Sequence, residues 1–435
     1  MPADKGKFLI FEYIATFAVL LLFSSNGFWI LFGYEEDTPN ASNISALMLM
    51  CALFALAGVC ILRHWRTFAR AIPSAWPLLA LSALAVASSL WSDVPAVTFR
   101  RGLVLLATTA VGVYFGARFR PDRQLVLLAV CLGFVAIASL CAALWFPSYG
   151  ISSEGDHVGD WKGIFAQKNT FGAVMSFSCL VFIMLWRNHR VLGLCGLFLS
   201  IALLLASGSR TAMLTTALLL ACYVICRLGR LRLTLLALVG IAGVAACLCA
   251  IPLIGFDLAG MLKLLGREAT LTGRSDLWVV LLTVILRRPW LGYGFNGVWY
   301  SEGTLEWRIQ QQAGWGAREA HSGLLDLALA LGAIGVAVFL YGFVVYLARA
   351  AAAVRRSSGD DALWPFLYLL FLVVYNVTES LGAGTGIYWC VYVSVAVSVS
   401  RRGLNTGARV MRDGLGGAAD PRRFGTTVPA AVDNS

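Results

Sequence analysis

Long apolar runs separated by short polar connections dominate this 435-residue chain. Many runs have the roughly 20 residues that a helix needs to cross the hydrocarbon core of a bilayer. The pattern therefore predicts an all-α, polytopic integral membrane protein with about 12 transmembrane helices. They fall at residues 9–32, 45–62, 76–92, 97–116, 124–146, 170–186, 191–207, 211–226, 233–254, 321–347, 363–381 and 385–400. One long connection, about residues 255–320, separates the ninth from the tenth. A loop of that length is generally functional when ordered. Inside it, Leu277–Leu286 is apolar but too short to span, with Ser275 or Asp276 as the expected N-cap. That run, and Leu258–Leu265 before it, are expected to re-enter or lie on the interface, folding the loop back over the bundle.

The charged positions orient the bundle. Alternate connections carry Arg63, Arg66 and Arg70, then Arg118, Arg120 and Arg123, then Arg187 and Arg190, and so on to Arg349, Arg355, Arg356, Arg401 and Arg402. The remaining connections carry Glu35, Glu36, Asp37, Asp93, Glu154, Asp156 and Asp160, together with the long loop. Positive connections stay in the cytoplasm, so both termini are expected there and the long loop on the outer face. The expected division is a membrane domain over residues 1–402 and a disordered cytoplasmic tail over 403–435, rich in Gly, Arg and small residues.

Composition narrows the class. Only 13% of residues are charged and 59% are hydrophobic, against about 25% charged in soluble domains. The net charge of +11 is spread between spans rather than gathered in a patch, which argues against nucleic acid as a partner. All 11 cysteines fall inside apolar runs and read as packing residues, with neither disulfides nor a cysteine metal site expected. The first run follows Lys5 and Lys7 as in a signal peptide, but its extent to Phe32 favours a retained span.

The candidate chemistry gathers on the outer face. His321 opens the tenth span directly after Arg318 and Glu319, as a polar helix start or as a general base or hydrogen-bond donor. Arg210 lies in the tight turn Ser207-Gly208-Ser209-Arg210, suited either to snorkelling or to bidentate phosphate binding. Arg274 adjoins an expected helix start, where backbone N–H groups favour an anion. Lys168 and Asn169 could bind an anion or sugar hydroxyls at the entry to the sixth span. Asp326 and Glu379 are acids within apolar runs, costly unless partnered, and are expected to pair with arginines in a supporting role. No run of histidines or carboxylates has metal-ligand spacing, so no metal and no cofactor is expected.

Together these residues resemble the O-antigen ligase and Wzy-type polymerase superfamily of bacterial polysaccharide assembly. The likeness rests on Gly163-Ile164-Phe165-Ala166-Gln167-Lys168-Asn169, Ser207-Gly208-Ser209-Arg210 and Thr272-Gly273-Arg274-Ser275-Asp276-Leu277-Trp278. It continues through Gly292-Tyr293-Gly294 and Ala320-His321-Ser322-Gly323. The resemblance implies a metal-independent glycosyltransferase of the bacterial inner membrane, acting on the periplasmic side on an undecaprenyl-diphosphate-linked oligosaccharide. It implies that Arg210 and Arg274 contact the diphosphate and that His321 is the catalytic base. Arg318, Lys168 and Asn169 join the expected substrate-binding set, with Glu379, Asp326 and Asp276 in support. Where family members commonly carry Asn after this histidine, the chain has Ser322. An exopolysaccharide or O-antigen polymerase is the first reading, and a ligase transferring glycan to lipid A-core is the alternative. A lipid-linked sugar transporter or flippase is the third. Flippase and chain-length regulator proteins are candidate partners alongside the bilayer.

Overall fold

A computed structural model of the protein describes residues 2–24, 44–153, 158–228, 272–299, 304–314, 316–357, 359–376, 379–380 and 386–401. Among them the regular structure is helical: α1 (Pro2–Ser24), α2 (Ile44–Arg63), α3 (Trp65–Ala69), α4 (Trp76–Ala87), α5 (Pro95–Arg118) and α6 (Pro121–Trp145). After a short turn of helix at Pro147–Gly150 come α7 (Lys168–Leu185), α8 (Arg190–Ala206), α9 (Arg210–Arg227), α10 (Thr272–Ile285) and α11 (Thr304–Ala313). The last three are α12 (Gly323–Arg356), α13 (Asp360–Asn376) and α14 (Ile387–Arg401). Six helical segments are long and apolar enough to cross a membrane, and several shorter apolar helices accompany them. Each expected span but 233–254 overlaps a described helix; residues 25–32 of the first, span 233–254, the run Leu258–Leu265 and the 403–435 tail lie outside the described residues.

The helix ends follow from local chemistry. Proline stands in the first turn of α4, α5 and α6, where its missing N–H costs nothing and its fixed φ suits the helix. Helix packing is set by small residues and internal hydrogen bonds, as expected where lipid gives no hydrophobic drive for helices to associate. Gly112 and Gly116 of α5 let the α14 backbone approach so closely that a Cβ at either would stand within 2.7 Å of a carbonyl oxygen. Thr109 then joins three helices: its hydroxyl meets Ser82 at 2.7 Å and accepts from Trp389 Nε1 at 2.8 Å.

Three connections rich in arginine meet at one end of this bundle. Arg349 donates to Ser400 Oγ at 2.6 Å, and Arg401 donates to the Ala117 carbonyl at 2.8 Å, beside Arg118. A buried network stands at the same end. Glu12 takes Arg118 on both carboxylate oxygens (2.8 and 2.9 Å) and the Tyr114 hydroxyl at 2.5 Å. His64 Nε2 stands 3.2 Å from Glu12 without hydrogen-bond geometry.

At the other end, residues expected in the long loop form a second, smaller core. Leu277, Trp278, Leu281 and Val284 of α10 pack with Ile309 and Ala313 of α11 and with Leu329 of α12. The described part of the loop thus folds back on the bundle, as expected. Its helix begins earlier than the apolar run suggests: α10 contains Ser275 and Asp276, so neither is the N-cap, and Asp276 is exposed. The first turn of α10 is polar and carries no apolar period, which is why the periodicity starts a turn late.

A second departure lies in the tenth span, expected as one uninterrupted helix. α12 is broken at Gly332, whose φ of 62° is left-handed. Residues 289–294 fill the break. Tyr293 and Gly294 donate their N–H groups to the Leu329 and Ala330 carbonyls, and Ala333 and Ile334 donate to the Pro289 and Trp290 carbonyls. Gly292 and Gly294 both have positive φ and no room for a side chain, Gly292 against Leu329 O and Gly294 against Ser92. The Gly292-Tyr293-Gly294 motif is therefore a backbone strap that repairs a broken helix.

Candidate functional site

His321 follows the strapped loop and precedes α12 directly. Its φ of 49° puts a non-glycine residue in the left-handed region, at a cost of about 1–3 kcal/mol that neighbouring structure must offset. The chain on its N-terminal side is held twice. Trp278 Nε1 donates to the Ala320 carbonyl at 2.8 Å, and the Ala320 N–H donates to the Asp326 carboxylate at 3.1 and 3.2 Å. On its C-terminal side the buried Ser322 is the N-cap of α12 and makes no side-chain capping bond.

Two carboxylates converge on the imidazole. Nδ1 stands 3.1 Å from Glu319 Oε1 and 3.3 Å from Glu379 Oε2. Burial pushes the imidazole pKa down, but hydrogen bonding and charge from Glu319 and Glu379 outweigh it, and the net pKa is raised to about 9. Glu319, His321 and Glu379 also offer ligand atoms within 4.8 Å of one another, a grouping able to hold a metal ion. Sequence spacing gave no sign of this, because Glu379 arrives from 58 positions away.

One of the two acids expected to pair with arginines, Asp326, is partnered otherwise. Asp326, in the first turn of α12, accepts from Trp299 Nε1 at 2.7 Å, from the Ala320 N–H and from the Ser380 hydroxyl. Neutral donors at a helix N-terminus satisfy this carboxylate where an arginine was expected. Glu379 faces His321 rather than serving only as support.

A second patch forms at the entry to α7. Lys168 Nζ pairs with Asp160 at 2.6 Å, and Gly208 approaches Asp160 so closely that a Cβ would lie 2.4 Å from its carboxylate. The Ser207-Gly208-Ser209-Arg210 turn is therefore fixed beside Lys168, with Arg210 exposed at the first position of α9. The last turn of α13 touches both patches. Tyr375 Oη donates to the Asn169 carbonyl at 3.4 Å, and Asn376 fills the space over Gly323, two residues beyond His321. Arg318 is exposed next to Glu319. Arg274 is the third residue of α10, and its side chain lies outside the described residues.

Sequence reasoning placed His321, Lys168 and Arg210 on the right elements but missed four participants: Glu319 as a partner of His321, and Trp278, Trp299 and Ser380 around Ala320 and Asp326. The position of Glu319, two residues before the histidine in a polar loop, was the available signal. The other three are single residues in motifs or apolar stretches, where nothing marks Trp278 as a donor to backbone or Trp299 and Ser380 as donors to the Asp326 carboxylate.

Comparison with known proteins places the chain's likeness. Residues 195–340, which contain Arg210, Arg274 and His321, match the family model described as O-antigen ligase. The chain is also 27% identical over 384 residues to the exopolysaccharide production protein ExoQ of Rhizobium meliloti (strain 1021), covering 82% of this chain and 84% of that protein. With its apolar helices, these matches make the chain a multi-pass membrane protein similar to the O-antigen ligase family and to a protein of exopolysaccharide production.

Proposed function

We propose that this protein is a polymerase of bacterial surface polysaccharide, joining undecaprenyl-diphosphate-linked glycans on the periplasmic face of the inner membrane. The observation that carries the reading is His321, held in a strained backbone conformation at a helix start with two carboxylates on Nδ1. Enzymes commonly orient a base in this way, through the nitrogen that does not react.

In the proposed reaction a hydroxyl of one lipid-linked glycan attacks the anomeric carbon of another. The new glycosidic C–O bond forms as the bond from that carbon to the diphosphate breaks. Nε2 of His321 takes the hydroxyl proton, and the diphosphate leaves on its lipid with the bonding electron pair. Arg210 and Arg274 stabilise that leaving charge, which requires no metal. Lys168, already paired with Asp160, and Asn169 border the approach to the glycan, and Arg318 adds positive charge beside Glu319.

Two specific observations keep alternatives in view. The matched family is described as O-antigen ligase, which favours transfer of a finished glycan to lipid A-core as the second reading. The other concerns protonation. With a pKa of about 9, only about one imidazole in a hundred is neutral at pH 7. If His321 is the base, kcat/KM rises with pH until about 9. If its protonated form instead donates to the departing diphosphate, activity is level below 9 and falls above. The transporter reading needs half-helices whose free ends face a cargo. α12 is broken, but the strap at residues 289–294 occupies four of the backbone groups at the break.

The test is reconstitution of purified protein with an undecaprenyl-diphosphate oligosaccharide as sole substrate, with a chelator present. A ladder of longer lipid-linked glycans is expected. No ladder, but transfer once lipid A-core is added, selects the ligase. Loss of either activity with chelator, restored by one divalent cation, would assign the Glu319–His321–Glu379 group to a metal.

A further inference from the structure

We infer that Trp278 and Asp326 are positioning residues for His321, acting on the peptide groups of Ala320 and never on substrate. The inference rests on the reading of His321 as the proton-accepting group. The physical problem is local. A residue with a Cβ in the left-handed region relaxes to ordinary backbone angles unless both flanking segments are fixed. On the C-terminal side α12 fixes the chain, beginning two residues later. On the N-terminal side there is no regular structure, and Ala320 is completely buried.

The two peptide groups of Ala320 are held from different directions. The Trp278 indole, from α10, takes its carbonyl at 2.8 Å, fixing the plane of the Ala320–His321 peptide. The Asp326 carboxylate, from α12, takes its N–H on both oxygens. Rotation about the His321 N–Cα bond is thereby confined from both sides, and the ring is delivered to Glu319 and Glu379.

Asp326 does a second thing. Its carboxylate also accepts from the Ser380 hydroxyl, and Ser380 adjoins Glu379. One side chain therefore fixes the backbone before His321 and the segment carrying the acid that faces it. Trp299 Nε1, at 2.7 Å, holds Asp326 itself in place. The Trp278 of the Thr-Gly-Arg-Ser-Asp-Leu-Trp motif thus has a role distinct from that of Arg274: it couples the α10 helix to the reacting histidine.

The test uses full-length protein in proteoliposomes, with an undecaprenyl-diphosphate oligosaccharide as probe and three variants. His321→Ala must remove transfer; if it does not, the underlying reading of the site fails, whatever the others do. Trp278→Phe keeps the ring and deletes only the N–H donor. Its expected effect is about a tenfold fall in kcat with KM within about twofold, the scale of one hydrogen bond felt in the transition state. Asp326→Asn is expected to cost about a hundredfold in kcat. It should also move the His321 pKa, read by imidazole NMR titration, from about 9 toward the ordinary histidine range as Glu379 loosens. That titration needs no substrate, so it separates positioning from general damage. Wild-type kcat and an unmoved His321 titration in folded Trp278→Phe and Asp326→Asn, with His321→Ala inactive, would overturn the inference and leave the proposed function standing. If Asp326→Asn does not fold, Trp278→Phe alone decides.

Discussion

The protein places a histidine beside glutamate at each end of its bundle, and the two sites behave in opposite ways. At the arginine-rich end Glu12 is fully buried, bound by both arms of Arg118 and by Tyr114, with His64 nearby. Charge there is balanced before the histidine is counted. Burial accordingly pushes the His64 pKa down, ahead of the upward pull of Glu12. At the other end two carboxylates meet one imidazole, and its pKa rises to about 9. The difference lies in what faces each imidazole and in the backbone that carries it, not in residue type. A balanced cluster on ordinary helices joins α1 to α5. In the other, two carboxylates face one imidazole on a left-handed residue and raise its affinity for a proton.

Breaking the second cluster has the largest expected effect. His321→Ala should lower transfer by at least about a thousandfold, with the protein still folded and inserted, measured as polymer yield against membrane abundance. Normal yield would make the two histidines equivalent after all. Next comes Glu379→Gln, which removes one of the two carboxylates. The His321 pKa should drop below 9, so that the alkaline rise in kcat/KM begins at lower pH, with kcat reduced about tenfold. An unchanged pH profile would show that Glu379 does not set the imidazole's protonation.

The smallest catalytic effect belongs to Glu12→Gln. It leaves the Arg118 guanidinium without its counter-charge and should cost roughly 2 kcal/mol of stability, seen as a lower unfolding temperature. Its kcat should stay near that of wild type. The same contrast fixes the sign of each histidine's contribution to stability. The folded pKa of His321 is raised, so its contribution is complete below about 6.5 and is lost as pH climbs through about 9. The folded pKa of His64 is lowered, so stability falls as pH drops through the ordinary histidine range toward that lower value. Thermal melts of His64→Gln and His321→Gln across pH 5–9 should therefore lose opposite slopes.

Much of this was legible in the sequence because bilayer-spanning helices have a length and a composition that short-range pattern reveals. Residues that sit at helix starts, such as Lys168, Arg210 and His321, were legible for the same reason. Glu319 and Glu379 converge on His321 through tertiary packing, which no spacing encodes. The Gly332 break was invisible, since a glycine inside an apolar run also occurs in unbroken spans. Asp326 shows a further limit: an acid in an apolar run announces that it needs partners, but not whether arginine, indole or backbone will supply them. The N-cap at Ser275 or Asp276 failed because a polar first turn resembles a loop.

The break in α12 also dictates the order in which the molecule can be put together. Residues 289–294 leave the ribosome some forty residues before the α12 groups they pair with, the Leu329 and Ala330 carbonyls and the Ala333 and Ile334 N–H groups. Until that helix is in place the strap has unmet backbone groups that only water can satisfy, so it must wait at the membrane surface. The backbone bonds of Tyr293 and Gly294 to Leu329 and Ala330 close only once α12 is present. The site is complete only later still, when Glu379 beyond α13 meets His321, and a chain halted before α12 carries the motifs without the geometry that gives them meaning.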